Sequence, residues 1–293
     1  MKKNILIVGG TGFIGQKLAK RFIDKSHNVI ILTRRQVKSD YNKIYINEIG
    51  ERDFFYDVVI NLAGAPISKY WTDKSKKEIY DSRIDSTKKL VNFFQNSSRR
   101  PEIFICASAI GYYGGGNKSY DEGSKANNLN LFSQKICHDI EEEADKLNDK
   151  CKVAKLRIGI VLGKDGGALK KMMPSFKLGL GGAIGSGAQY MSWIHINDVI
   201  NAIEHIIDNN IDDSINLVSP NPVTNKEFSK SLASALNRPC LFNIPSFMVK
   251  SLFGQMGQEL LIDGQKIAPK RLIESNFKFE FEEINQALKD IVG

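Results

Sequence analysis

The sequence predicts an α/β fold in which a doubly wound parallel sheet is followed by a smaller C-terminal lobe. The first 35 residues support this prediction, because they contain an apolar strand, a glycine-rich turn, a helix and a second apolar strand. Further apolar runs alternate with helical segments, as in parallel sheets that are covered on both faces. Beyond residue 159 the sequence becomes rich in glycine, and beyond Pro220 it turns into short helical segments separated by prolines.

The individual elements follow from short-range periodicity. Apolar runs bounded by turn residues predict buried strands, and apolar residues at helical spacing predict helices. The predicted strands are 5–8, 29–32, 58–62, 103–106, 153–158 and 215–218. The predicted helices are 12–25, 72–96, 129–147, 198–208 and 281–292.

Length and composition exclude several classes of protein. The chain has 293 residues, of which 42% are hydrophobic and 25% charged, as in ordinary folded proteins. No apolar run reaches the roughly 18 residues that a membrane-spanning helix needs. The apolar run after Met1 stops at Gly9, which argues against a signal peptide. The four cysteines form no C-x-x-C pair, so we expect free thiols in a reducing cytoplasm and no metal site.

The formal charge of +8 favours anionic small molecules as partners. The positive residues are dispersed, and the densest stretch, 69–89, also contains acidic residues and is predicted to be helical. No recognition helix or stacking platform accompanies it. We therefore expect a small-molecule substrate, and neither nucleic acid nor a membrane as a partner.

The turn after the first strand carries a dinucleotide-binding pattern. The segment 9–15 reads G-G-T-G-F-I-G and contains G-x-G-x-x-G between a strand and a helix. Glycine permits the tight turn and the approach of a pyrophosphate, and the helix N-terminus offers free N–H groups to the phosphates. The alternative is a glycine turn with a structural role alone. The predicted cofactor contacts here are Gly9, Thr11, Gly12, Phe13, Ile14 and Gly15.

The residues after the second strand indicate which dinucleotide binds. An acidic residue there would accept hydrogen bonds from the 2′-OH of NAD(H), but this chain has Arg34 and Arg35 and no carboxylate before Asp40. Guanidinium groups bind a 2′-phosphate through charge-assisted hydrogen bonds. The sequence therefore predicts NADP(H) as the cofactor, the alternative being a pair of solvent-facing arginines.

Ligands of open parallel sheets bind beyond the carboxyl ends of the strands. Small residues follow several of the predicted strands at that edge. We therefore expect one crevice to be lined by Ala63, Gly64, Ser108 and Gly159. The cofactor contacts predicted there are Leu62, Ala63, Gly64 and Gly159.

Longer segments resemble a known family. They include 60–67 (INLAGAPI), 81–83 (DSR), 108–114 (SAIGYYG), 156–163 (LRIGIVLG), 185–187 (GSG) and 191–196 (MSWIHI). With the glycine turn, they resemble the extended and atypical short-chain dehydrogenases/reductases. The more specific resemblance is to the NAD-dependent-epimerase-like, or sugar-nucleotide-epimerase-like, branch, and it extends from residue 1 to about 290.

This resemblance implies a Rossmann domain for NADP(H) over 1–162, continued by about 194–218. It implies a substrate lobe with a small C-terminal domain over 163–293. It adds Arg157, beside Gly159, to the cofactor contacts. The resemblance also implies a homodimer through the helices after the fourth and fifth strands of the family fold, which are 72–96 and 129–147 in this chain.

The resemblance also implies a catalytic pair that this chain lacks. Short-chain dehydrogenases usually carry a tyrosine and, four residues later, a lysine on the helix after the fifth strand of the family fold, where the tyrosine exchanges a proton with the substrate. That helix corresponds to 129–147 in this chain. Counting back from Glu141, this chain has Ser133 and Cys137 at these positions. Its literal Y-x-x-x-K, from Tyr70 to Lys74, lies in the wrong crossover.

Three other hydroxyl groups are therefore candidates for catalysis. Ser108 matches the serine that hydrogen-bonds the reacting oxygen in relatives, the alternative being an ordinary strand-end hydroxyl. Tyr112 and Tyr113 follow in a glycine-flanked loop that could bring a phenol over the crevice, and a packed aromatic is an equally good interpretation.

His195 is a further candidate because histidine titrates in a range suited to acid/base chemistry. It lies between a predicted strand and a predicted helix, which we expect Asn197 or Asp198 to cap. This placement favours a structural role.

The candidates for substrate binding are Arg83, Gly187, Gln189 and Trp193. Arg83 could reach an anionic group, unless it forms a helix-face salt bridge with Glu78 or Asp81. The glycine-rich segment 179–187 could close over the substrate and offer backbone amides to a phosphate.

Two functions of different classes remain open. The first is an NADP(H)-dependent oxidoreductase or epimerase-like enzyme that acts at a hydroxyl or carbonyl carbon of a small, anionic or nucleotide-linked substrate. The second is an NADP(H)-binding sensor or regulatory protein without hydride chemistry, which the missing tyrosine and lysine favour.

Overall fold

A parallel sheet with helices on both faces forms the larger part of the molecule, which confirms the predicted fold class. The computed structural model describes residues 1–33, 43–46, 48–50, 55–116, 118–126 and 129–293. The strands are β1 (Asn4–Val8), β2 (Asn28–Leu32), β3 (Lys43–Ile46), β4 (Val58–Asn61), β5 (Ile103–Ala109), β6 (Ser119–Tyr120), β7 (Lys152–Ile158), β8 (Ile160–Leu162), β9 (Tyr190–Met191), β10 (Trp193–His195), β11 (Asp213–Leu217), β12 (Val223–Thr224) and β13 (Lys266–Ile267). The helices are α1 (Phe13–Asp24), α2 (Asp73–Asn96), α3 (Phe132–Asp145), α4 (Gly167–Lys177), α5 (Ile196–Asp208), α6 (Asn225–Ala235), α7 (Ser246–Gly257), α8 (Lys270–Glu274) and α9 (Ile284–Val292), with short helical turns of other types at Ile110–Tyr113 and Gln258–Ile262.

The main sheet has seven parallel strands in the order β3–β2–β1–β4–β5–β7–β11. From β1 the chain runs outward to β2 and β3, and it then returns to place β4 on the other side of β1. The carboxyl ends of β1 and β4 therefore bound a crevice at the point where the strand order reverses. The short strand β3 was not predicted, because four residues of mixed polarity carry too little periodicity.

The two faces of the sheet have separate apolar cores. Ile5 and Ile7 of β1 pack with residues of α1 and α5. Leu6 and Val8 face the opposite side and pack with residues of α2 and α3. The strands are apolar on both faces for this reason, and they read as continuous hydrophobic runs in the sequence.

Local caps fix where two helices begin. Thr72 caps α2 through a reciprocal pair of hydrogen bonds with Ser75, as in a capping box. The cap of α5 is His195, whose Nδ1 accepts a hydrogen bond from the N–H of Asn197 at 3.2 Å. The expectation that Asn197 or Asp198 caps α5 was therefore wrong, whereas the structural role of His195 is confirmed.

The smaller lobe has its own apolar core. In it Phe176 of α4, Phe228 of α6 and Leu288 of α9 pack around Trp193. The short strand pairs β8–β10, β9–β12 and β6–β13 join segments that are distant in sequence. Within the described residues, the helices are all too short or too polar to cross a membrane.

Asp198 anchors the C-terminal segment on α5. Its buried carboxylate accepts hydrogen bonds from the backbone N–H groups of Glu280 at 2.7 Å and Phe281 at 3.0 Å. Burial raises the pKa of Asp198 to about 6 and outweighs the opposing effect of these two hydrogen bonds. A carboxyl group with a raised pKa in the folded state stabilises the fold most at low pH, and this contribution is lost as the pH rises through 6.

The substitution Asp198→Asn tests this titration, because asparagine keeps an oxygen acceptor but cannot ionise. Between about pH 5 and about pH 7.5, we expect the free energy of unfolding of the variant to rise by about 1 kcal/mol relative to the wild type. Urea denaturation at both pH values measures the difference. Asp24→Asn, at an exposed position, is the control. A difference between Asp198→Asn and wild type that stays constant or shrinks with pH contradicts the prediction.

Candidate active site

The glycine turn lies at the carboxyl end of β1, against the residues that follow β4. Gly9 has φ +80°, in the left-handed region that favours glycine, and a Cβ there would lie 2.8 Å from the carbonyl oxygen of Leu62. A Cβ at Gly15 would lie 2.5 Å from the carbonyl oxygen of Gly9. The lack of side chains therefore lets α1, the turn and the chain after β4 come together as a pyrophosphate site requires.

The N-terminus of α1 is open to an anion. Gly12, the residue before the helix, is exposed, provides no side-chain cap, and donates its N–H to the carbonyl of Gly9 at 3.0 Å. The first bond along the helix runs from the N–H of Gln16 to the carbonyl of Gly12, so the N–H groups of 13–15 have no intrahelical acceptor. The first turn also has no acidic side chain. These N–H groups and the helix dipole suit a phosphate.

We call the glycine turn at 9–15 the cradle. The residues after β4 form its opposite wall, and Asn61 at the end of β4 holds that wall in place. Its buried amide donates to the hydroxyl of Thr87 at 3.0 Å and accepts from the N–H of Ala63 at 3.2 Å. The backbone N–H of Leu62 donates to the carbonyl of Val8 at 2.9 Å, which extends the pairing of β4 with β1 by one residue. The backbone of 62–64 is therefore fixed beside the glycine turn.

The residues present fit a dinucleotide. The turn at 9–15 would hold the pyrophosphate, and 62–64 would line the middle of the cofactor. Arg34 and Arg35 lie outside the described residues, so their contact with a 2′-phosphate stays a prediction. Gly159 has a packing role, because a Cβ there would lie 2.6 Å from the carbonyl oxygen of Ser192, and its cofactor contact also stays a prediction.

A chain of buried hydrogen bonds begins at Ser108, near the end of β5. The hydroxyl of Ser108 donates to Glu141 Oε1 at 2.7 Å. Glu141 forms a bidentate ion pair with Arg157, with Nε–Oε1 at 2.9 Å and Nη2–Oε2 at 2.7 Å. Arg157 Nη1 donates to the hydroxyl of Tyr113 at 2.9 Å, and that hydroxyl donates to Asn216 Oδ1 at 2.7 Å. This network joins β5, α3, β7 and β11.

The network places the Arg157 side chain away from its expected role. The side chain is only 4% exposed, and Nε, Nη1 and Nη2 all donate within the protein. The ring of Tyr112 covers the guanidinium carbon at 3.4 Å. The side chain is thus an internal cation that orients Glu141, rather than the cofactor ligand that the resemblance implied.

The two tyrosines contribute to this network rather than to an open crevice. Tyr113 is 3% exposed, and burial raises the pKa of its hydroxyl to about 12 although Arg157 acts in the opposite direction. The hydroxyl keeps its proton at neutral pH and is fully engaged by its two partners. Tyr112 is half-buried and stacks on Arg157. Of the three catalytic candidates, Ser108 is the one whose hydroxyl lies at the end of a central strand.

The helix α3 carries serine and cysteine at the positions of the usual tyrosine and lysine. The Ser133 hydroxyl and N–H both donate to Glu259 Oε2, at 2.7 and 3.0 Å, and Glu259 is a buried residue of the C-terminal lobe. Cys137 is buried as well, and burial raises the pKa of its thiol to about 11. Neither side chain is therefore placed to exchange a proton with a substrate, as the missing tyrosine and lysine would.

Arg83 lies on α2 beside the turn that follows β4. A Cβ at Gly64 would lie 2.8 Å from its guanidinium carbon. Its Nη1 donates to the carbonyls of Ala65 and Ile79, each at 3.0 Å. The guanidinium is therefore held at the rim of the crevice by backbone oxygens.

No carboxylate pairs with Arg83 among the residues that the structure describes. The acids considered as helix-face partners are used elsewhere, since Glu78 binds Lys69 and Asp81 binds Lys77. Burial lowers the pKa of Arg83, and the nearby Cys137 thiol acts only weakly in the opposite direction. A half-buried cation in this setting lacks a compensating negative charge.

The expected substrate residues of the smaller lobe lie partly in its interior. Gly187 is buried, and its N–H donates to the carbonyl of Ile184 at 3.0 Å, so this amide is not free for a phosphate. The side-chain amide of Gln189 donates to the carbonyls of Ile184 and Leu261, at 3.2 and 3.3 Å, and so joins two segments of the smaller lobe. Trp193 is 0% exposed, so its side chain lies in the core, and a substrate contact through its backbone stays a prediction.

One group of potential metal ligands occurs in the described part of the chain, formed by His138, Asp139 and Glu142 on α3. Asp139 already accepts from Tyr80 and pairs with Lys135, and Glu142 is exposed. We assign no metal to this group.

Three residues were missed by sequence reasoning. They are Glu141 and Asn216 of the network, and Glu259, which binds Ser133. The only signal available was an acidic residue on the apolar side of a predicted helix, as Glu141 is on α3. An acid in that position needs a buried cation or donor nearby.

Comparison with known proteins agrees with the geometry of the cradle. A model of the NAD-dependent epimerase/dehydratase family matches residues 5–217, and a model of a domain of unknown function, DUF1731, matches 244–291. The chain is 38% identical to the chloroplastic homologue of epimerase family protein SDR39U1 from Arabidopsis thaliana, covering 98% of this chain and 86% of that protein. It is 33% identical to human SDR39U1, covering 99% of each.

Two solved structures extend the comparison. The crystal structure of human SDR39U1 (isoform 2) with NADPH has a TM-score of 0.92 at 31% identity and covers 99% of each chain. A nucleoside-diphosphate sugar epimerase from Corynebacterium glutamicum has a TM-score of 0.81 at 28% identity, covering 100% of this chain and 59% of that one. The glycine cradle, the order of the sheet and these matches together assign the chain to the NAD-dependent epimerase/dehydratase family.

Proposed function

We propose that this protein transfers hydride between NADP(H) and a hydroxyl or carbonyl carbon of a small anionic substrate. The observation that carries the proposal is the guanidinium of Arg83, which has no acidic partner among the described residues and lies beside the cofactor cradle. A half-buried cation of this kind is costly in the unliganded protein. A carboxylate or phosphate on the substrate would offset that cost through charge-assisted hydrogen bonds.

The cofactor part of the proposal rests on the cradle at 9–15 and on the walls at 62–64. NADP(H) supplies the hydride when it is bound. The human relative, 31% identical over 99% of this chain, was crystallised with NADPH, which supports the same cofactor here. The same relative supports NADP(H) over NAD(H), whereas the roles of Arg34 and Arg35 in that choice stay predictions.

Ser108 would hold the reacting oxygen. Its own proton points to Glu141, so the lone pairs of its Oγ are left to accept a hydrogen bond from a substrate hydroxyl. Arg157 fixes Glu141 from the other side. In this role Ser108 orients the substrate, and the ion pair behind it orients Ser108.

Arg83 would supply the positive charge that the family pattern takes from lysine. The thiol of Cys137, at the lysine position, is close enough to interact electrostatically with Arg83. The cation thus comes from the neighbouring helix α2 instead of α3. A cation there would stabilise negative charge that develops on the reacting oxygen.

A second candidate function is an NADP(H)-binding regulatory protein without turnover. The observation in its favour is that Ser133 and Cys137 are buried at the usual catalytic positions, with Ser133 bound to Glu259. NADPH binding without oxidation by any carbonyl compound would support it. A nucleotide-linked substrate, a cytoplasmic location and a homodimer through α2 and α3 also stay predictions.

The substitution Gly12→Asp tests the cofactor cradle. Aspartate is a good cap for the start of α1, so we expect the stability of the unliganded protein to be kept, whereas its carboxylate repels a pyrophosphate. NADPH affinity should fall at least 100-fold, as measured by calorimetry. Gly12→Ser, which caps without charge, is the control and should bind NADPH more tightly than Gly12→Asp. Equal affinity of the two variants contradicts the assignment.

The substitution Arg83→Met tests the substrate cation. Removing a half-buried charge without an acidic partner in the described residues should leave the free energy of unfolding unchanged or higher. We expect kcat/KM for an anionic carbonyl substrate to fall by roughly 10- to 150-fold, the value of a charged hydrogen bond. NADPH oxidation is followed with carbonyl compounds that carry a carboxylate or phosphate and with their uncharged analogues. NADPH affinity is measured in parallel and should not change. The loss should be smaller with the uncharged analogues, for which Arg83 would act on the reacting oxygen alone. An equal loss with charged and uncharged substrates counts against recognition of the anionic group by Arg83.

The substitutions Ser108→Ala and Tyr113→Phe separate catalysis from architecture. Ser108→Ala should lower kcat by at least 100-fold, because the substrate contact is lost, and should also cost about 1–3 kcal/mol of stability, because Glu141 loses a buried hydrogen bond. Tyr113→Phe should lower kcat less than tenfold but cost about 1–3 kcal/mol of stability, because Asn216 and Arg157 each lose a buried partner. Turnover and urea denaturation measure both effects. A large loss of kcat with Tyr113→Phe and a small loss with Ser108→Ala would assign the chemistry to Tyr113.

A further inference from the structure

The smaller lobe carries large apolar side chains that project into solvent. Six of them are between 63% and 76% exposed, and together we call them the apolar face. They are Leu178, Leu180, Leu241, Phe242, Phe247 and Leu252. Single exposed apolar residues are common on protein surfaces, but a group of this size marks an interaction site.

The apolar face is continuous because its three segments contact one another. The segments around 178–185 and 239–246 run side by side, with the Ile244 N–H donating to the Ala183 carbonyl at 2.7 Å and the Gly185 N–H donating to the Ile244 carbonyl at 2.8 Å. Helix α7 follows directly at Ser246 and is anchored by the buried Val249 and Met256. Its exposed side carries Phe247 and Leu252.

The charge around the apolar face has one sign. The two stretches that form it, 166–192 and 237–258, contain five basic residues and no acidic residue. The overall acidic content of the chain would give about five acids in a length of this size. The basic residues are Lys170, Lys171, Lys177, Arg238 and Lys250, and none of them forms an ion pair within the described chain.

Acidic residues just outside these stretches do not neutralise the charge. Asp165 pairs with Lys17 at 3.7 Å. Glu259 is buried and bound to Ser133. The basic residues closest to the face along the chain are Lys177, next to Leu178, and Lys250, between Phe247 and Leu252.

We infer that the apolar face docks on the surface of a membrane that contains anionic lipid. Projecting leucine and phenylalanine side chains enter the boundary between headgroups and acyl chains, while lysine and arginine around them contact anionic headgroups. A second copy of this chain is a poorer occupant, because two such faces would bring Lys177 and Lys250 of both copies together without an acid from either stretch. Docking of this kind needs no membrane-spanning helix. The absence of such a helix among the described residues therefore does not bear on this proposal.

The test uses the full chain with vesicles of phosphatidylcholine alone or with about 30% phosphatidylglycerol, in a flotation assay. Binding should be at least tenfold stronger to the anionic vesicles and should fall at about 0.5 M salt, where surface charges are screened. The double substitution Phe247→Ser with Leu252→Ser should weaken binding at least tenfold. Lys177→Gln and Lys250→Gln should each weaken it about fivefold.

Matched controls lie outside the apolar face. Ile273→Ser removes an exposed apolar side chain from α8, and Lys20→Gln removes an exposed cation from α1, and both should bind as the wild type does. Thermal unfolding verifies that each variant is folded. Equal binding to neutral and anionic vesicles, or no binding, overturns the proposal. It is also overturned if the Phe247 and Leu252 variant changes a dimer into a monomer in light scattering without affecting vesicle binding.

Discussion

The ion pair between Arg157 and Glu141 connects β7 to α3, and both of its side chains are almost fully buried. Taking two charges out of water costs several kcal/mol, and mutual attraction compensates only when the remaining polar atoms also find partners. Here Ser108 and Tyr113 supply those partners. Tyr113 continues the network to Asn216 on β11, and the amide of Asn216 donates to the carbonyl of Ala268 in the smaller lobe. The ion pair is therefore connected to the end of β5, to the last strands of the sheet and to the smaller lobe.

Two arginines near the crevice have opposite electrostatic situations. Arg157 is almost fully buried and completely paired, so it is an element of the architecture. Arg83 is half-buried, bound only by carbonyl oxygens, and lacks an acidic partner in the described residues. Unfavourable electrostatics in an unliganded protein are expected where a charged ligand binds, since the ligand supplies the missing charge. This contrast supports the proposal that Arg83 binds the substrate, whereas Arg157 positions its neighbours.

The C-terminal lobe also contributes to the central domain directly. Helix α3 has no side-chain cap of its own, since Leu131 precedes it. Glu259 of the lobe accepts hydrogen bonds from the backbone N–H groups of Phe132 and Ser133, at 3.4 and 3.0 Å, and so places a carboxylate at the positive end of the helix. The start of the helix that carries the usual catalytic positions thus depends on a residue from the other end of the chain.

The sequence by itself determined the fold class, most strand and helix positions and the glycine cradle, because each depends on neighbours along the chain. Periodicity records which face of a strand or helix is buried, and the glycines at 9–15 are required by a local turn. Tertiary structure alone decided that Trp193 is in the core, that His195 caps α5, that Arg157 pairs with Glu141 and that Arg83 has no acidic partner in the part of the chain that the structure describes. These outcomes depend on burial and on partners from separate elements, and a buried charge has the same letter in the sequence as an exposed one.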